Sequence, residues 1–347
     1  MLHKEATLAE VSFYRLLINV LWFCLRTGLG PRYYVVAGMA RPWFPPKDKW
    51  RHVSARKYYH ALEKLNPPAY RKLTQHKVAE KALYQLMQIP TAALIGYYHP
   101  HAGFTASGRD LRNVEQLAEL LSANKGQRVC FKPVEGWGGT GVLCAEIADL
   151  HGEPRVRILP TQNAMPIPQL MSYYDGDSPF ASFIVESVIT QSQEFHAFNP
   201  DSLNTLRVWV LETTPGKSEV IGAYLRVGRA GSSIDNASAG GIMFPIDLQT
   251  GEIRPGLTKH TPHRDEITHH PDNHLAIAGH KLKTWPDIIR FSCQVLDRMP
   301  SMRFTGLDVS ITEEGPILIE ANVTPDKDGA AHANIASILI WQVANAN

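Results

Sequence analysis

The alternation of apolar and polar residues divides the chain into a helical first part and a strand-rich second part. Apolar residues three to four positions apart predict helices over residues 8–29, 55–65, 75–87 and 114–123, and a short apolar run predicts a strand over 92–98. Runs rich in Val, Ile and aromatic residues then predict strands over 128–133, 141–147, 183–189, 205–212 and 220–227. Two further helices are predicted over 286–299 and 333–344. This order favours an α+β fold with a helical N-terminal portion.

The last strand-rich segment, from Phe304 to Asp326, has the pattern of a hairpin with its turn at residues 313–316. Folding it about Glu314 places Asp308 opposite Glu320, and opposed residues in an antiparallel pair have Cβ atoms roughly 5 Å apart. Alternation along both strands assigns to this carboxylate face Ser310, Thr312, Leu318 and Asn322, and to the other face Val309, Ile311, Ile317 and Ile319. Adjacent carboxylates suit Mg²⁺ bound together with substrate phosphates. A metal–nucleotide site is therefore predicted, with a solvated polar face as the alternative.

The N-terminal part is strongly basic, although the whole chain has a net charge of only +2. Residues 1–81 hold 15 Lys and Arg against 5 Asp and Glu, so they carry +10 and the rest of the chain carries −8. This asymmetry predicts contact with an anionic surface or with the acidic body, and a solvated basic face is equally consistent with it. The apolar run within 8–29 is shorter than the roughly 20 residues that span a bilayer. We expect a buried packing helix there, with a peripheral position on a membrane surface as the alternative.

The cysteine pattern bears on the cellular compartment. The four cysteines are scattered, without a Cys-x-x-Cys pair, at Cys24, Cys130, Cys144 and Cys293. We therefore expect a reducing compartment, no disulfide framework and no structural zinc site. The first ten residues lack the apolar core of a secretory leader. The expected location is cytoplasmic, with a peripheral position at the inner membrane surface as the alternative.

A lysine and a glycine-rich loop follow one of the predicted strands. Lys132 lies at the end of strand 128–133, and the loop after it contains Gly136, Gly138, Gly139 and Gly141. Glycine lets the backbone approach phosphate oxygens and direct successive N–H groups at them, and the lysine ammonium can reach the same phosphates. The loop leads into a strand and lacks the Gly-Lys-Ser/Thr order of a Walker A motif. It predicts phosphate binding, with an ordinary hairpin turn as the alternative.

One acid and three arginines occupy the strands that follow. Glu186 interrupts an otherwise apolar strand and predicts an acceptor for an adenine amino group, with a strand-edge charge that reaches water as the alternative. Arg207, Arg226 and Arg229 lie on or just after the next two strands, and guanidinium groups suit phosphate and developing acyl-phosphate charge. The sequence contains no Gly-x-Ser-x-Gly nucleophile motif and no nucleic-acid reader motif. We therefore expect small-molecule partners and no nucleic acid.

Taken in order, these segments resemble the ATP-grasp superfamily and, more closely, its sugar-transfer-associated branch, over residues 60–330. The motifs that carry the closer resemblance are Leu65-Asn66-Pro67-Pro68, Asn204-Thr205-Leu206-Arg207, Asp235-Asn236-Ala237-Ser238-Ala239-Gly240-Gly241, His270-Pro271-Asp272 and Gly306-Leu307-Asp308-Val309. The resemblance implies two α+β lobes that hold ATP between them. The corresponding domains are a basic helical N-terminal extension over 1–70, an N-terminal lobe over 71–127, a small grasp lobe over 128–200 and a large grasp lobe over 201–347.

The resemblance also implies roles for individual residues. Those implied to contact the nucleotide are Lys77 and Lys132 at the phosphates, Gly136, Gly138, Gly139 and Gly141 in the lid, Glu186 and the Val188 backbone at adenine, and Glu194 at the ribose. Those implied to hold Mg²⁺ are Asp308, Glu320 and Asn322, and those implied to stabilise the transferred phosphoryl group are Arg207, Arg226 and Asn236. Two positions depart from the pattern of relatives. His76 precedes the helix lysine in place of Asp, and Gly306 stands where peptide-ligase relatives often have Arg.

The implied activity is that of an ATP-dependent carboxylate–amine ligase that forms an acyl phosphate. Its cofactors would be ATP and Mg²⁺, and its substrates a small-molecule carboxylate and a small-molecule amine. The name of the branch associates it with a sugar-linked or cell-surface metabolite. Two alternatives stay open: a phosphotransferase on the same fold, and a non-catalytic ATP-binding or membrane-associated module. No feature of the sequence indicates an oligomeric state.

Overall fold

The fold consists of two antiparallel sheets and the helices that cover them. The computed structural model describes residues 1–136, 139–150, 153–159, 161–174, 182–232, 240–257 and 263–346. The helices are α1 (Leu2–Leu8), α2 (Phe13–Thr27), α3 (Pro31–Val36), α4 (Ala55–Leu65), α5 (Lys72–Gln75), α6 (Lys77–Leu86), α7 (Val114–Ala123), α8 (Ile167–Tyr174), α9 (Gln193–Phe198), α10 (Trp285–Arg298), α11 (Lys327–Ala333) and α12 (Ser337–Asn345), with 3₁₀ turns at Asp48–Arg51 and Pro68–Tyr70. The strands are β1 (Leu94–Tyr98), β2 (Phe104–Thr105), β3 (Arg128–Pro133), β4 (Leu143–Leu150), β5 (Glu153–Ile158), β6 (Ala164–Pro166), β7 (Phe183–Ser187), β8 (Thr205–Thr214), β9 (Lys217–Val227), β10 (Ile242–Pro245), β11 (Gly256–Leu257), β12 (Glu266–Ile267), β13 (Phe304–Thr312) and β14 (Gly315–Asn322).

Local side-chain chemistry sets several helix boundaries. Ser12, Ser54 and Asn113 each accept a hydrogen bond from the backbone N–H three residues later, at 3.3, 3.4 and 2.9 Å, and so cap α2, α4 and α7. Gly28 ends α2 with a φ of 71°, a conformation that glycine adopts without steric cost. α4 ends before Pro67, because the residue before a proline disfavours helical geometry.

The smaller lobe is built on a sheet with the strand order β2-β1-β7-β3-β4-β5-β6. Its hydrophobic core joins α7 and α8 to the strands, through a cluster that includes Leu117, Leu121, Phe131, Leu170 and Val185. β1 lies between β2 and β7 in this sheet. β1, on the N-terminal side of the predicted boundary at residue 128, therefore belongs to the same sheet as β3 and β7.

The larger lobe is built on a sheet with the order β12-β11-β10-β9-β8-β13-β14. One face of this sheet packs on α10, through a cluster that includes Val208, Leu225, Trp285, Val295 and Val309. The other face packs on α4 and α12 around Trp209 and Phe304. Residues two apart on a strand share a face, so the strand alternation places Arg207, Arg226 and Asp308 on this second face.

The predicted hairpin is formed by β13 and β14, which are joined by a two-residue turn. Asp308 lies opposite Glu320, as predicted. Nearer the turn the register shifts by one residue, so that Val309 lies opposite Leu318 and a bulge accommodates Ile319. Leu318 consequently packs in the core with Val309. Its predicted position on the carboxylate face is wrong, because a bulge cannot be read from strand alternation.

Cys130 and Cys144 form a disulfide between β3 and β4. The two residues lie directly opposite each other, and their Cα atoms are 4.2 Å apart. This bond corrects the expectation, drawn from the scattered cysteine spacing, that the chain contains no disulfide framework. Spacing alone did not reveal that the two strands pair in this register. Cys24 and Cys293 are free thiols.

The N-terminal extension has a small core of its own that also contacts the larger lobe. Leu16, Phe23 and Tyr34 cluster there with Ala331 of α11. Buried Glu5 accepts a hydrogen bond from Arg41 Nε at 2.8 Å and lies 2.8 Å from Nδ1 of His263. The segment predicted as a buried helix over residues 8–29 therefore packs against the protein with one of its sides, and the larger lobe contributes to that contact.

The same stretch is interrupted, and only one side of it is buried. The chain bends by 113° between α1 and α2. Leu16, Val20 and Phe23 of α2 are buried, whereas the side chains on the opposite side of the helix are exposed, among them Tyr14, Ile18, Leu21, Trp22 and Leu25. No single helix among the described residues has the length and hydrophobicity of a membrane span. The bent pair of α1 and α2 has that length and hydrophobicity when the two helices are taken together.

Burial of His52 makes the docking of the extension sensitive to pH. His52 is 2% exposed and bonds to Tyr33 Oη at 2.9 Å and Asn334 Oδ1 at 3.2 Å. Burial lowers its pKa from 6.5 to about 4. The unfolded chain therefore binds the proton more tightly than the folded one. The stability that neutral His52 contributes is complete above pH 6.5 and is lost as the pH falls towards 4.

We expect a shift from about pH 7.5 to about pH 5 to lower the free energy of unfolding of the unmodified protein. This loss should exceed the loss in the His52→Gln variant by about 2 kcal/mol. Glutamine keeps a polar side chain that can bond to Tyr33 and Asn334 but cannot bind a proton. Urea unfolding of both proteins at the two pH values measures the difference, and all other titrating groups cancel in it. An identical pH dependence of the two proteins would contradict the assignment.

Candidate active site

Glu186 of β7 is buried between two lysines. Lys132, near the end of β3, contacts carboxylate oxygen Oε1, and Lys81 of α6 lies 2.7 Å from Oε2. Lys81 also donates hydrogen bonds to Thr91 Oγ1 and to the carbonyl of Ala92, both at 2.9 Å. Glu186 is only 2% exposed. The two ammonium groups therefore replace water as its partners, and the predicted adenine acceptor is engaged by lysines in this structure.

Burial and ion pairing compete at each of these three charges. Burial alone would raise the pKa of Glu186, but Lys132 and Lys81 hold it below its ordinary value. For Lys132, the attraction of Glu186 outweighs burial and raises the pKa. For Lys81, burial prevails over that attraction and lowers the pKa. With both lysines protonated the cluster has one excess positive charge, which suits an anionic ligand.

The glycine-rich loop passes close to its own beginning at Pro133. Gly139 and Gly141 have φ angles of 73° and 74°, which residues with a side chain rarely adopt. A Cβ atom at Gly141 would lie 2.7 Å from Cγ of Pro133, so a larger residue there would displace the loop. A Cβ atom at Gly136 would have its nearest contact at 3.9 Å. Gly138 lies outside the described residues.

Asp308 of β13 is held by two arginines of the larger sheet. Arg207 on β8 donates from Nε to Oδ1 and from Nη2 to Oδ2, the latter at 3.1 Å. Arg226 on β9 lies 2.8 Å from Oδ2 and donates to Thr205 Oγ1 at 2.7 Å. Burial would raise the pKa of Asp308, but the two arginines hold it below its ordinary value. This cluster also consists of one anion and two cations, with one excess positive charge.

Glu320 influences the charges of both clusters. It pairs across the hairpin with Asp308, and Asn322 Nδ2 donates to its Oε1 at 3.1 Å. Its negative charge contributes to the raised pKa of Lys132 in the smaller lobe and to that of Arg207 in the larger lobe. The charge of one carboxylate therefore acts both on the lysine predicted to bind phosphate and on the strand arginine.

Glu80 of α6 is a buried carboxyl group that the sequence analysis did not select. Its Oε1 accepts hydrogen bonds from the N–H of Ala321, at 3.0 Å, and from the hydroxyl of Tyr84. Burial raises its pKa to about 7, and the nearby charge of Glu320 contributes to the shift. A carboxyl group with this pKa changes its charge near neutral pH, next to the predicted metal ligands.

Lys81 is not among the residues predicted from the sequence, whereas Lys77, four positions earlier on the same helix, is. Lys77 begins α6, and its backbone N–H donates to the carbonyl of Val134 at 3.0 Å. Lys81 follows one helical turn later and makes the ion pair with Glu186. Residues four apart on a helix lie on the same side, so the helical spacing of the two lysines was a usable signal.

The residues predicted around the adenosine have other partners in this structure. The N–H of Val188 donates to the carbonyl of Arg128 at 3.0 Å. Glu194, in the first turn of α9, lies 2.7 Å from Nε2 of His280. The roles of Val188 and Glu194 in nucleotide binding stay predictions. Asn236 lies outside the described residues.

One arrangement thus combines a strand lysine, a glycine-rich loop, a buried acidic strand residue, two strand arginines and an acidic hairpin. The sequence model of the sugar-transfer associated ATP-grasp family matches residues 55–340. The chain belongs to this family. The predicted family and the predicted α+β ATP-grasp fold with a helical N-terminal extension are thereby confirmed, and the structure adds that both sheets are antiparallel. No curated protein sequence matches the chain.

Several solved structures resemble this ATP-grasp protein weakly. Biotin carboxylase from Campylobacter jejuni, as its β-γ-ATP complex, is 13% identical, with a TM-score of 0.45 and coverage of 81% of this chain and 48% of that one. D-alanyl-alanine synthetase A from Vibrio cholerae is 14% identical, with a TM-score of 0.42 and coverage of 79% and 65%. L-amino acid ligase from Bacillus licheniformis is 10% identical, with a TM-score of 0.41 and coverage of 79% and 48%. This chain spans less than two thirds of each of them, and at such scores the similarity carries no information about activity.

Removal of the carboxylate of Glu186 would leave two buried ammonium groups without their counter-ion. We expect Glu186→Gln to lower the free energy of unfolding by about 3–5 kcal/mol, because an unpaired buried charge is strongly destabilising. Urea unfolding measures the change. Glu135→Gln is the matched control, because Glu135 also pairs with a lysine, Lys72, at 3.0 Å, but the two side chains are 58% and 66% exposed. Exposed pairs contribute about 0–1 kcal/mol, so an equal loss in the two variants would contradict the structural role of Glu186.

Proposed function

We propose that the protein is an ATP-dependent carboxylate–amine ligase that works through an acyl phosphate. The observation that carries the proposal is a pair of contacts made by α6. Lys81 pairs with Glu186 of the smaller lobe at 2.7 Å, and Glu80 accepts the N–H of Ala321, next to Glu320 of the larger lobe, at 3.0 Å. The lysines around Glu186 therefore lie near the carboxylates of the hairpin, and the charge of Glu320 acts on both Lys132 and Arg207. A triphosphate bound there would have its charge compensated by lysines of one lobe and arginines of the other, as phosphoryl transfer requires.

The donor set fits Mg²⁺ in chemical type. Glu320 and Asn322 supply oxygen donors from one face of the hairpin, and Mg²⁺ commonly takes one or two carboxylates together with substrate phosphates. Asp308 supplies the second carboxylate, although both of its oxygens contact Arg207 and Arg226 in this structure. When bound, the ion would neutralise phosphate charge. The assignment of Asp308, Glu320 and Asn322 as ligands is part of this proposal.

The proposed reaction has two steps. An oxygen of the substrate carboxylate attacks the γ-phosphorus of ATP, the bond from that phosphorus to the bridging oxygen of ADP breaks, and an acyl phosphate forms. The amine nitrogen then attacks the acyl carbon, the carbon–oxygen bond to phosphate breaks, and the nitrogen loses a proton as the amide forms. Lys132, Arg207 and Arg226 bind and neutralise the transferred group, and the glycine-rich loop limits access of water to it.

Asp308 orients the arginines in this scheme. It binds Arg207 through two atoms and Arg226 through one, so both guanidinium groups are fixed before a substrate arrives. Fixed cations need little reorganisation when charge develops on the transferred group. In the absence of an arginine two residues before Asp308, where Gly306 stands, this pair supplies the positive charge from neighbouring strands.

The substrates are proposed as a small-molecule carboxylate and a small-molecule amine. The family description associates its members with sugar transfer, which supports a sugar-linked or cell-surface metabolite as one of them. A cytoplasmic location, with a peripheral position at the inner membrane surface as the alternative, belongs to the same proposal.

A product analysis separates this proposal from a phosphotransferase. We expect a mixture of ATP, a carboxylate and an amine to yield ADP, free phosphate and an amide in equal amounts, and to require both organic substrates. Phosphate release measured over panels of amino acids and amino sugars, followed by mass spectrometry of the products, tests this. A phosphorylated acceptor without free phosphate would assign the protein as a kinase. If no pair of substrates released phosphate above background, the ligase proposal would be abandoned.

Loss of the hairpin carboxylate should weaken the binding of Mg²⁺. We expect Glu320→Gln to raise the Mg²⁺ concentration needed for half-maximal phosphate release by at least about tenfold, because a charged oxygen donor is replaced by a neutral one. A magnesium titration of ATP-dependent phosphate release measures this. Glu314→Gln is the control, since Glu314 is an exposed acid in the turn of the same hairpin. Equal magnesium requirements in both variants would exclude Glu320 as a ligand.

A further inference from the structure

The helix α2 of the N-terminal extension has an exposed apolar side that nothing in the described chain covers. Tyr14, Ile18, Leu21, Trp22 and Leu25 are 77%, 66%, 54%, 58% and 82% exposed. At 100° per residue these five side chains occupy an arc of about 100° on the helix. They form one continuous stripe, which we call the α2 stripe, rather than scattered single residues.

The opposite side of α2 is firmly packed, so the stripe is presented by a fixed helix. Leu16, Val20 and Phe23 are at most 1% exposed. They belong to the core that includes Ala331 of the larger lobe. Ser12 and Gly28 define the two ends of the helix. The exposure of the α2 stripe is therefore not the result of a loosely attached segment.

Positive charge borders the stripe. In the helical projection, Arg15 and Arg26 lie within about 40° of Trp22, just beyond that edge of the stripe. Both side chains are exposed. Lys4 and Arg32 are exposed on the adjoining helices, whereas Glu10 is the exposed acid of residues 1–32. The other acid of this segment, Glu5, is buried against Arg41. The surface around the stripe thus has an excess of cations.

This combination favours a lipid surface over a second protein chain. An apolar stripe with Trp and Tyr, bordered by arginines, matches a helix that lies in the plane of a membrane, because the aromatic rings and aliphatic side chains enter the headgroup region and the cations meet lipid phosphates. A symmetric contact between two copies would bring the arginines of one helix against those of the other. Like charges held together in that way oppose association.

We propose that the α2 stripe binds the surface of a bilayer that contains anionic phospholipid. Ile18, Leu21, Trp22 and Leu25 insert among the headgroups, while Arg15 and Arg26 contact phosphates. The extension is joined to the larger lobe by the Glu5–His263 contact and by the bond of His52 to Asn334. The ATP-grasp lobes are therefore held at the membrane in a defined orientation.

Vesicle sedimentation of the purified full chain tests the proposal. We expect binding to vesicles of phosphatidylcholine mixed with phosphatidylglycerol, weaker binding at high salt, and little binding to phosphatidylcholine alone. Leu25→Ser should weaken partition by about tenfold, because it removes a leucine side chain from the apolar contact. Arg15→Gln should weaken it by about fivefold.

Leu86→Ser is the matched control, because Leu86 is 81% exposed at the end of α6 and lies outside the stripe. It should bind vesicles like the unmodified chain, and circular dichroism should show that both serine variants are folded. Equal binding of the Leu25→Ser and Leu86→Ser variants, or no binding to anionic vesicles, would overturn the proposal. A concentration-dependent dimer that Leu25→Ser dissociates, without vesicle binding, would assign the stripe to a second copy instead. The ligase activity is measured separately in solution, where Leu25→Ser should leave it unchanged.

Discussion

Two consecutive buried charged residues of α6 connect the sheets of the two lobes. Lys81 reaches the smaller sheet, where it pairs with Glu186 of β7, and Glu80 reaches the larger one, where it accepts the N–H of Ala321 in the hairpin. Neighbouring positions on a helix point in directions 100° apart, so one short helix can bind both sheets at once. These two contacts help to set the spacing between the lobes and the position of Lys132 relative to Glu320.

Two buried anions of the site, Glu186 and Asp308, are compensated by cations before any ligand binds. Glu186 has two lysines and Asp308 has two arginines. Buried charges of one sign would be expensive to assemble without such partners. Because each cluster retains one excess positive charge, a polyphosphate can be attracted without removing the internal carboxylates. In the proposed site, backbone N–H groups of the glycine-rich loop would serve as phosphate donors without adding a further charge that folding must bury.

The sequence predicted those parts of the site that depend on short-range order. Counting residues on both sides of the predicted turn placed Asp308 opposite Glu320, as the structure shows. The strand that ends with Lys132 and Pro133 also has its predicted bounds. The sequence did not predict contacts that depend on the packing of distant elements. The bulge at Ile319 and the disulfide between Cys130 and Cys144 required the pairing register of the strands. The roles of Glu80 and Lys81 required knowledge of how α6 is oriented between two sheets.

Two asparagines in the motifs that carry the resemblance to this family hold backbone in place. The Nδ2 of Asn66 donates to the carbonyls of Phe304 and Val323, at 2.8 and 2.9 Å, and so fixes the open end of the acidic hairpin. Asn204 bonds to the carbonyls of Phe195 and Asn199 and accepts the hydroxyl of Ser310 through its own carbonyl, which fixes the start of β8. Since each buried Nδ2 donates to two backbone carbonyls, each asparagine specifies one local arrangement. These two residues of the family motifs therefore act on the geometry of the hairpin and of the strand that carries Arg207, and neither is part of the proposed substrate-binding charges.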